Sequence, residues 1–181
     1  MKKSPIPLTP EEMELLIAAT EGKNLLYWRA LFMFAKTTGR RLGEIYAVRV
    51  SDIDFEKGVA MTNIEKARKF KRMETILTPM VVAILKRYIK EARLKPDDYV
   101  FRAKSYRQIQ ARTTSLAKKA GIQHNVTFHN FRHYFITELV RKGWSYDKIR
   151  KVTGHASINV LMKYDHVVAS DIKADVLRDV E

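Results

Sequence analysis

The chain has 181 residues, with 34 lysines and arginines against 20 aspartates and glutamates, a formal net charge of +14. That length suits one ordinary domain, and the absence of cysteine excludes a disulfide framework, a Cys-ligated zinc site, an iron–sulfur cluster and cysteine nucleophile chemistry. The 46% hydrophobic content argues against disorder, so the basic excess points to a folded protein with a polyanionic partner, most simply nucleic acid.

Residues 1–8 read as an extended lead-in, because Lys2 and Lys3 are followed by Pro5 and Pro7 and not by the apolar core of a signal peptide. Thr9-Pro10-Glu11-Glu12 matches a capping box with proline at the first helical position. It predicts a helix running to about Gly22, with Met13, Leu15, Leu16 and Ile17 on its apolar face. A second helix is expected over Leu25–Thr37, ended by Gly39, and a short third one over Arg41–Val48. The texture then changes. Asp52–Phe55 suggests a short strand, and Val59–Ile64 with Met73–Leu77 suggests a hairpin. Between those two strands lies the basic run Lys66-Ala67-Arg68-Lys69-Phe70-Lys71-Arg72.

Pro79 opens a helix to about Arg93, with Val82, Leu85 and Ile89 on one side, and Tyr99–Phe101 is extended or loop. Further helices are expected at Ser105–Ala120, His129–Lys142, Tyr146–Val152, Asn159–Tyr164 and Asp171–Val180. The longest apolar runs, Leu31–Ala35 and Met80–Leu85, fall well short of the ~20 residues a membrane span needs. The predicted class is mostly α with one small antiparallel β-sheet. Between Asp98 and Glu138 no acidic residue occurs, while Arg102, Lys104, Arg107, Arg112, Lys118, Lys119 and Arg132 fall there. A basic stretch without interspersed carboxylates suits a phosphate-facing surface.

Three local patterns carry chemistry. The first is Thr38-Gly39-Arg40-Arg41-Leu42-Gly43-Glu44, where Arg41 stands at a helix start and Glu44, one turn on, can orient its guanidinium. The second is His129-Asn130-Phe131-Arg132-His133, with His129 and Arg132 on one helix face. The i,i+4 pair His129 and His133 invites a zinc reading, but Asn130 stands where the metalloprotease form needs glutamate. The third is Thr153-Gly154-His155-Ala156-Ser157 followed by Tyr164-Asp165-His166-Val167. Each alone is equally compatible with a capping turn, a structural histidine or a packing tyrosine.

In this order the patterns resemble the catalytic domain of the tyrosine recombinases, the phage integrase and Xer/Cre-like family. The resemblance covers about Leu8 to Val168 and implies that family's fold, with a catalytic domain at 9–168 and a helical tail at 169–181 as a possible protomer contact. It implies site-specific breaking and rejoining of DNA through a 3′-phosphotyrosyl intermediate, with no metal and no cofactor. Tyr164 would be the nucleophile, and Arg41 and Arg132 would clamp the phosphate oxygens. His129 would handle the proton, and His155 would be a second hydrogen-bond donor to the phosphate. Glu44 would support Arg41, and a hairpin lysine would protonate the departing 5′ oxygen. Lys66 best fits that lysine, with Lys69 and Lys71 competing.

Arg40, Arg68, Lys69, Lys71, Arg72, Lys104, Arg107, Arg112, Lys118 and Lys119 are the expected DNA contacts. The implied partner is double-stranded DNA, with a homo-tetramer on DNA, a monomer when free and no membrane, in the nucleoid of a prokaryotic cytoplasm. A type IB topoisomerase-like relaxase and a noncatalytic DNA-binding module of the same fold remain as rivals. Family members usually carry an N-terminal helical domain as well, so a fragment of a two-domain enzyme is the expectation, with weak and salt-dependent DNA binding.

Overall fold

A computed structural model describes residues 6–66 and 69–165, with backbone alone at 65, 66, 69 and 70. The order is α1 (Pro10–Ala18), α2 (Leu25–Thr38), α3 (Leu42–Tyr46), a single 3-10 turn (Val50–Asp52), β1 (Ile53–Asp54), β2 (Val59–Lys66) and β3 (Lys69–Ile76). Then follow α4 (Pro79–Glu91), α5 (Tyr106–Lys119), α6 (His129–Arg141), α7 (Tyr146–Thr153) and α8 (Asn159–Met162). The architecture is the expected one, mostly helical with one small antiparallel sheet of strand order β1-β2-β3. The predicted helix at Asp171–Val180 and the tail from 169 lie outside the described residues.

Side-chain chemistry sets the helix starts. Thr9 Oγ1 accepts from the Glu12 amide at 3.1 Å while the Glu12 carboxylate accepts from the Thr9 amide at 3.0 Å. Ser105 and Gln108 repeat the device on α5. Thr78 and Ser145 cap α4 and α7. Each cap satisfies orphan amides and stabilises its helix by about 1 kcal/mol.

The core forms around α2, which packs on α4 and α6. Phe32, Phe34 and Phe131 are completely buried, and truncating any of them to alanine costs about 3–5 kcal/mol. Tyr27 is ringed by Trp28, Tyr88 and Phe101. That aromatic centre rotates α4 from its expected face. Its buried line is Val81, Leu85 and Tyr88, with Val82 and Ile89 at the flanks. On α1 only Met13 and Leu16 are buried, and Leu15 is 51% exposed. A nine-residue helix that ends at Ala18 presents one line to its neighbours and no second one.

The hairpin departs from expectation more strongly. The basic run is not a loop, since the ladder continues through Ile64↔Lys71 and Glu65↔Phe70 to Lys66↔Lys69. Backbone pairing is indifferent to side-chain charge, and lysines suit an edge strand such as β3 because they discourage pairing with another chain. A second, smaller apolar cluster joins α6, α7 and α8. It contains Ile136, Leu139, Val140, Ile149, Leu161 and Tyr164.

Candidate active site

Gly39 sets the geometry where α2 meets α3. It caps α2 with φ +60°, and a Cβ there would lie 2.3 Å from Phe135 Cδ1. Both the backbone conformation and the space demand glycine. This close approach seats the α2–α3 turn on α6, and the Gly39 carbonyl accepts from Arg132 Nη1 at 2.9 Å.

Arg132 is buried to 2% exposure. Its Nη2 donates to the Thr153 carbonyl at 3.0 Å and lies 2.9 Å from His155 Nε2. One guanidinium therefore joins all three sequence patterns. Burial, with the neighbouring Arg41, lowers its pKa to about 10, so it stays a cation at neutral pH. Arg41 is the N-cap of α3. Glu44, buried below it, accepts from the Arg41 amide and from its Nη1, both at 2.9 Å. The carboxylate thus caps the helix and holds the guanidinium at once.

Arg40, Arg41 and Arg132 open on a cleft of about 120 Å³, walled also by His129, Tyr106 and Gln110. Partial desolvation, then Arg132, Lys163 and Arg41, lower the His129 pKa. His155 is pushed further, to about 3, by burial and then by Arg132 and Arg41. It is neutral, with Nδ1 donating to Thr153 Oγ1 at 2.6 Å, and Arg132 Nη2 lies over the ring, 2.9 Å from Nε2 and 3.2 Å from Nδ1. Thr153 in turn donates to the Ile149 carbonyl at 2.6 Å. His155 thus stands beside Arg132 at the cleft, the neighbourhood expected of a group that meets the phosphate. A site with this excess of guanidinium over carboxylate is suited to a bound anion.

Tyr164 is 3% exposed and does not wall the cleft. Its Oη lies 2.5 Å from His133 Nδ1. Burial raises the phenol pKa, with Arg132 acting in the opposite direction.

The expected DNA contacts divide. Arg40 is corrected outright, since it is 1% exposed and cannot be a surface contact. Its Nε donates to Thr75 Oγ1 at 2.8 Å and its Nη2 to the Val152 carbonyl at 3.1 Å, tying β3 and α7 to the active-site turn. Arg41, as helix cap, takes the outward position, and its neighbour is turned inward. Lys66 and Lys69 are register partners at the hairpin end, Lys71 and Arg72 are exposed, and Arg72 pairs with Asp52 at 2.5 Å. Arg68 lies outside the described residues.

The acid-free stretch is not one surface either. On α5, Tyr106 and Gln110 face the cleft. Lys104 and Arg112 line a separate groove beside Glu21 and Trp28, and Lys119 pairs with Glu21. The carboxylate that meets this run comes from the α1–α2 turn, far off in sequence. Arg107 and Lys118 are exposed.

Sequence reasoning missed three residues of the site. Thr153 orients His155, and its signal was its place directly before the Gly-His step. His133 was weighed only as a zinc partner, yet its ring meets His129 edge-on at 4.7 Å and bonds Tyr164. Lys163 places its ammonium 5.3 Å from the Tyr164 ring centre, and no pattern marked it.

A sequence profile of the phage integrase family matches residues 7–170. The tyrosine recombinase XerA of Pyrococcus furiosus is 31% identical over 98% of this chain and 63% of its own length. This chain therefore spans under two thirds of that relative. A crystal structure of XerA recombinase superposes with a TM-score of 0.79 at 27% identity, over 99% of this chain and 66% of that one. XerH, in a post-cleavage complex with palindromic difH, shares the fold with a TM-score of 0.78 at 22% identity, over 98% of this chain and 54% of that one. With the profile spanning nearly the whole chain and its three patterns meeting at Arg132, the protein belongs to the phage integrase family, the tyrosine recombinases.

Proposed function

We propose that this chain breaks and rejoins double-stranded DNA at specific sites through a covalent link to Tyr164. The observation that carries the reading is the Arg132 guanidinium, held by Gly39, Thr153 and His155 beside Arg41 in one cationic cleft. Such a cleft sets two guanidinium charges beside the nonbridging oxygens of a phosphodiester and offsets charge in the transition state without a metal.

In the proposed step the Tyr164 phenol gives up its proton and Oη attacks the scissile phosphorus. The bond to the 5′ oxygen breaks, and that oxygen takes a proton from a hairpin lysine, with Lys66 ahead of Lys69 and Lys71. In this reading His129, at the wall of the cleft and with a lowered pKa, passes the phenol proton on. The 5′ hydroxyl of a second strand reverses the step and joins it. Assembly on DNA as a tetramer, with residues 169–181 reaching a neighbouring protomer, belongs to the same proposal, as does action in the nucleoid of a prokaryotic cytoplasm. Among the described residues no helix is long and apolar enough to cross a membrane. XerH caught with its cleaved difH substrate supports DNA as the substrate class.

The test is a nicked suicide substrate incubated with the protein in EDTA. A covalent protein–DNA adduct is expected, and it is lost in Tyr164→Phe while DNA binding persists. No adduct under conditions where the DNA is bound would refute the enzyme reading and favour a binding module.

A further inference from the structure

Helix α6 brings His129 and Arg132 to the cleft, yet its start lacks an ordinary cap. Phe128, at the N-cap, has helical backbone and no side-chain cap bond. The turn is held from elsewhere. Asn130 is 1% exposed, and its Oδ1 accepts from the Thr127 amide at 2.9 Å and from Thr127 Oγ1 at 3.0 Å. Its Nδ2 donates to the Ile6 carbonyl at 2.9 Å, across 124 residues of sequence. The Phe128 amide donates to Gln110 Oε1 of α5 at 3.2 Å, while the Phe128 and Phe131 rings pack on Phe32. Neighbouring residues of one turn thus divide their tasks. Phe128 and Phe131 go to the core, Asn130 to the lead-in, and His129 and Arg132 to the cleft.

We propose that Asn130 is a positioning residue for the breaking and rejoining reaction, locking the first turn of α6 to the lead-in at Ile6 and so holding His129 at the cleft. The inference rests on the proposed role of His129 in moving the phenol proton. His129 is exposed, so the turn that carries it, more than packing on its ring, sets its place. A primary amide suits this spot, because it offers an acceptor to Thr127 and a donor to the Ile6 carbonyl at once. A carboxylate could serve Thr127 alone, and alanine serves neither. Misplacing a catalytic group by about 1 Å costs up to about a hundredfold in rate.

The test has two readouts. The first is the titration of His129 in the DNA-free protein, followed by NMR with labelled histidine and assigned through His129→Gln. Partial desolvation, then Arg132, Lys163 and Arg41, hold its pKa below 6.5. In Asn130→Ala the released turn takes the ring away from those neighbours, so the pKa is expected to rise toward 6.5. The second is single-turnover adduct formation in a double-mutant cycle with His129→Ala. Asn130→Ala is expected to slow the parent about tenfold, and the His129→Ala protein about twofold or less. Asn130→Asp, assayed at about pH 9 so that it is ionised, keeps the acceptor for Thr127 and lacks the donor for Ile6. It is expected to show the same pattern in the cycle.

An unchanged His129 titration in folded Asn130→Ala overturns the proposal. Equal slowing in both backgrounds overturns it too, because the loss would then not pass through His129. Should Asn130→Ala show no cooperative urea transition, Asn130→Asp carries the cycle, and parental activity there overturns the lock to Ile6. Absence of any adduct from the parent protein refutes the proposed reaction, and the positioning role in it falls as well. The titration would still report in that case whether Asn130 holds His129.

Discussion

Replacing Arg40 with methionine keeps much of the side-chain stem and deletes a guanidinium that is 1% exposed. Among the described residues no carboxylate forms an ion pair with it, and the attraction of Glu44 only partly offsets burial. Its pKa is lowered from 12.5 to about 10, which corresponds to about 3 kcal/mol spent on keeping the buried charge. Below the folded pKa that cost is present in full, so a measurement at neutral pH contains all of it. On the other side stand the hydrogen bonds to Thr75 and Val152. Thr75 Oγ1 keeps a partner in Thr62 Oγ1 at 2.9 Å, so methionine leaves mainly the Val152 carbonyl unpaired, at about 1–3 kcal/mol.

The terms nearly cancel, and Arg40→Met is expected to change stability by about 1 kcal/mol or less. Arg40→Ala also empties the space of the stem and is expected to cost about 2–4 kcal/mol more. Urea unfolding with linear extrapolation measures both. Methionine and alanine variants equally destabilised, each by about 3 kcal/mol or more, would refute the reasoning, because the hydrogen bonds would then outweigh the buried charge. Adduct formation by the stable methionine variant should still slow about tenfold, since Arg40 ties β3 and α7 to the active-site turn.

Three further outcomes are expected. Gly39→Ala forces a Cβ to within 2.3 Å of Phe135 at φ +60°, so it should lower unfolding free energy by about 2 kcal/mol or more, seen as a shifted urea midpoint. Thr153→Val removes the acceptor for His155 Nδ1. It should cost only about 1 kcal/mol in stability yet slow adduct formation about tenfold in a single-turnover assay. His133 has a folded pKa of about 3 against 6.5 in the unfolded chain, so its contribution is intact above about pH 6.5 and is lost as pH falls. Between about pH 7 and pH 5 it should account for about 2 kcal/mol of lost stability, absent from His133→Phe in paired urea titrations.

Much of this was legible in the chain itself, for local reasons. Thr9, Thr78, Ser105 and Ser145 announce helix starts because a capping oxygen serves amides only two or three residues away. Gly39 and Gly154 announce helix ends because both hold left-handed backbone. The spacing of Arg41 and Glu44 is readable because i,i+3 residues meet on any helix, and these two do. What failed was whatever depended on a distant partner. Leu15 is apolar yet exposed, and the buried line of α4 is set by Tyr27 across the core. Lys119 looks free in sequence but meets Glu21.

The sequence alone determined the mostly helical class, the order of the elements, the three chemical patterns and the family they resemble. It did so because capping, helical periodicity and motif spacing are properties of neighbouring residues. The tertiary structure alone decided which of two adjacent arginines turns inward, that Arg132 gathers Gly39, Thr153 and His155, and that Tyr164 rests on His133. Each of those depends on close approach between segments far apart along the chain, where burial changes what a charged or titratable group will do.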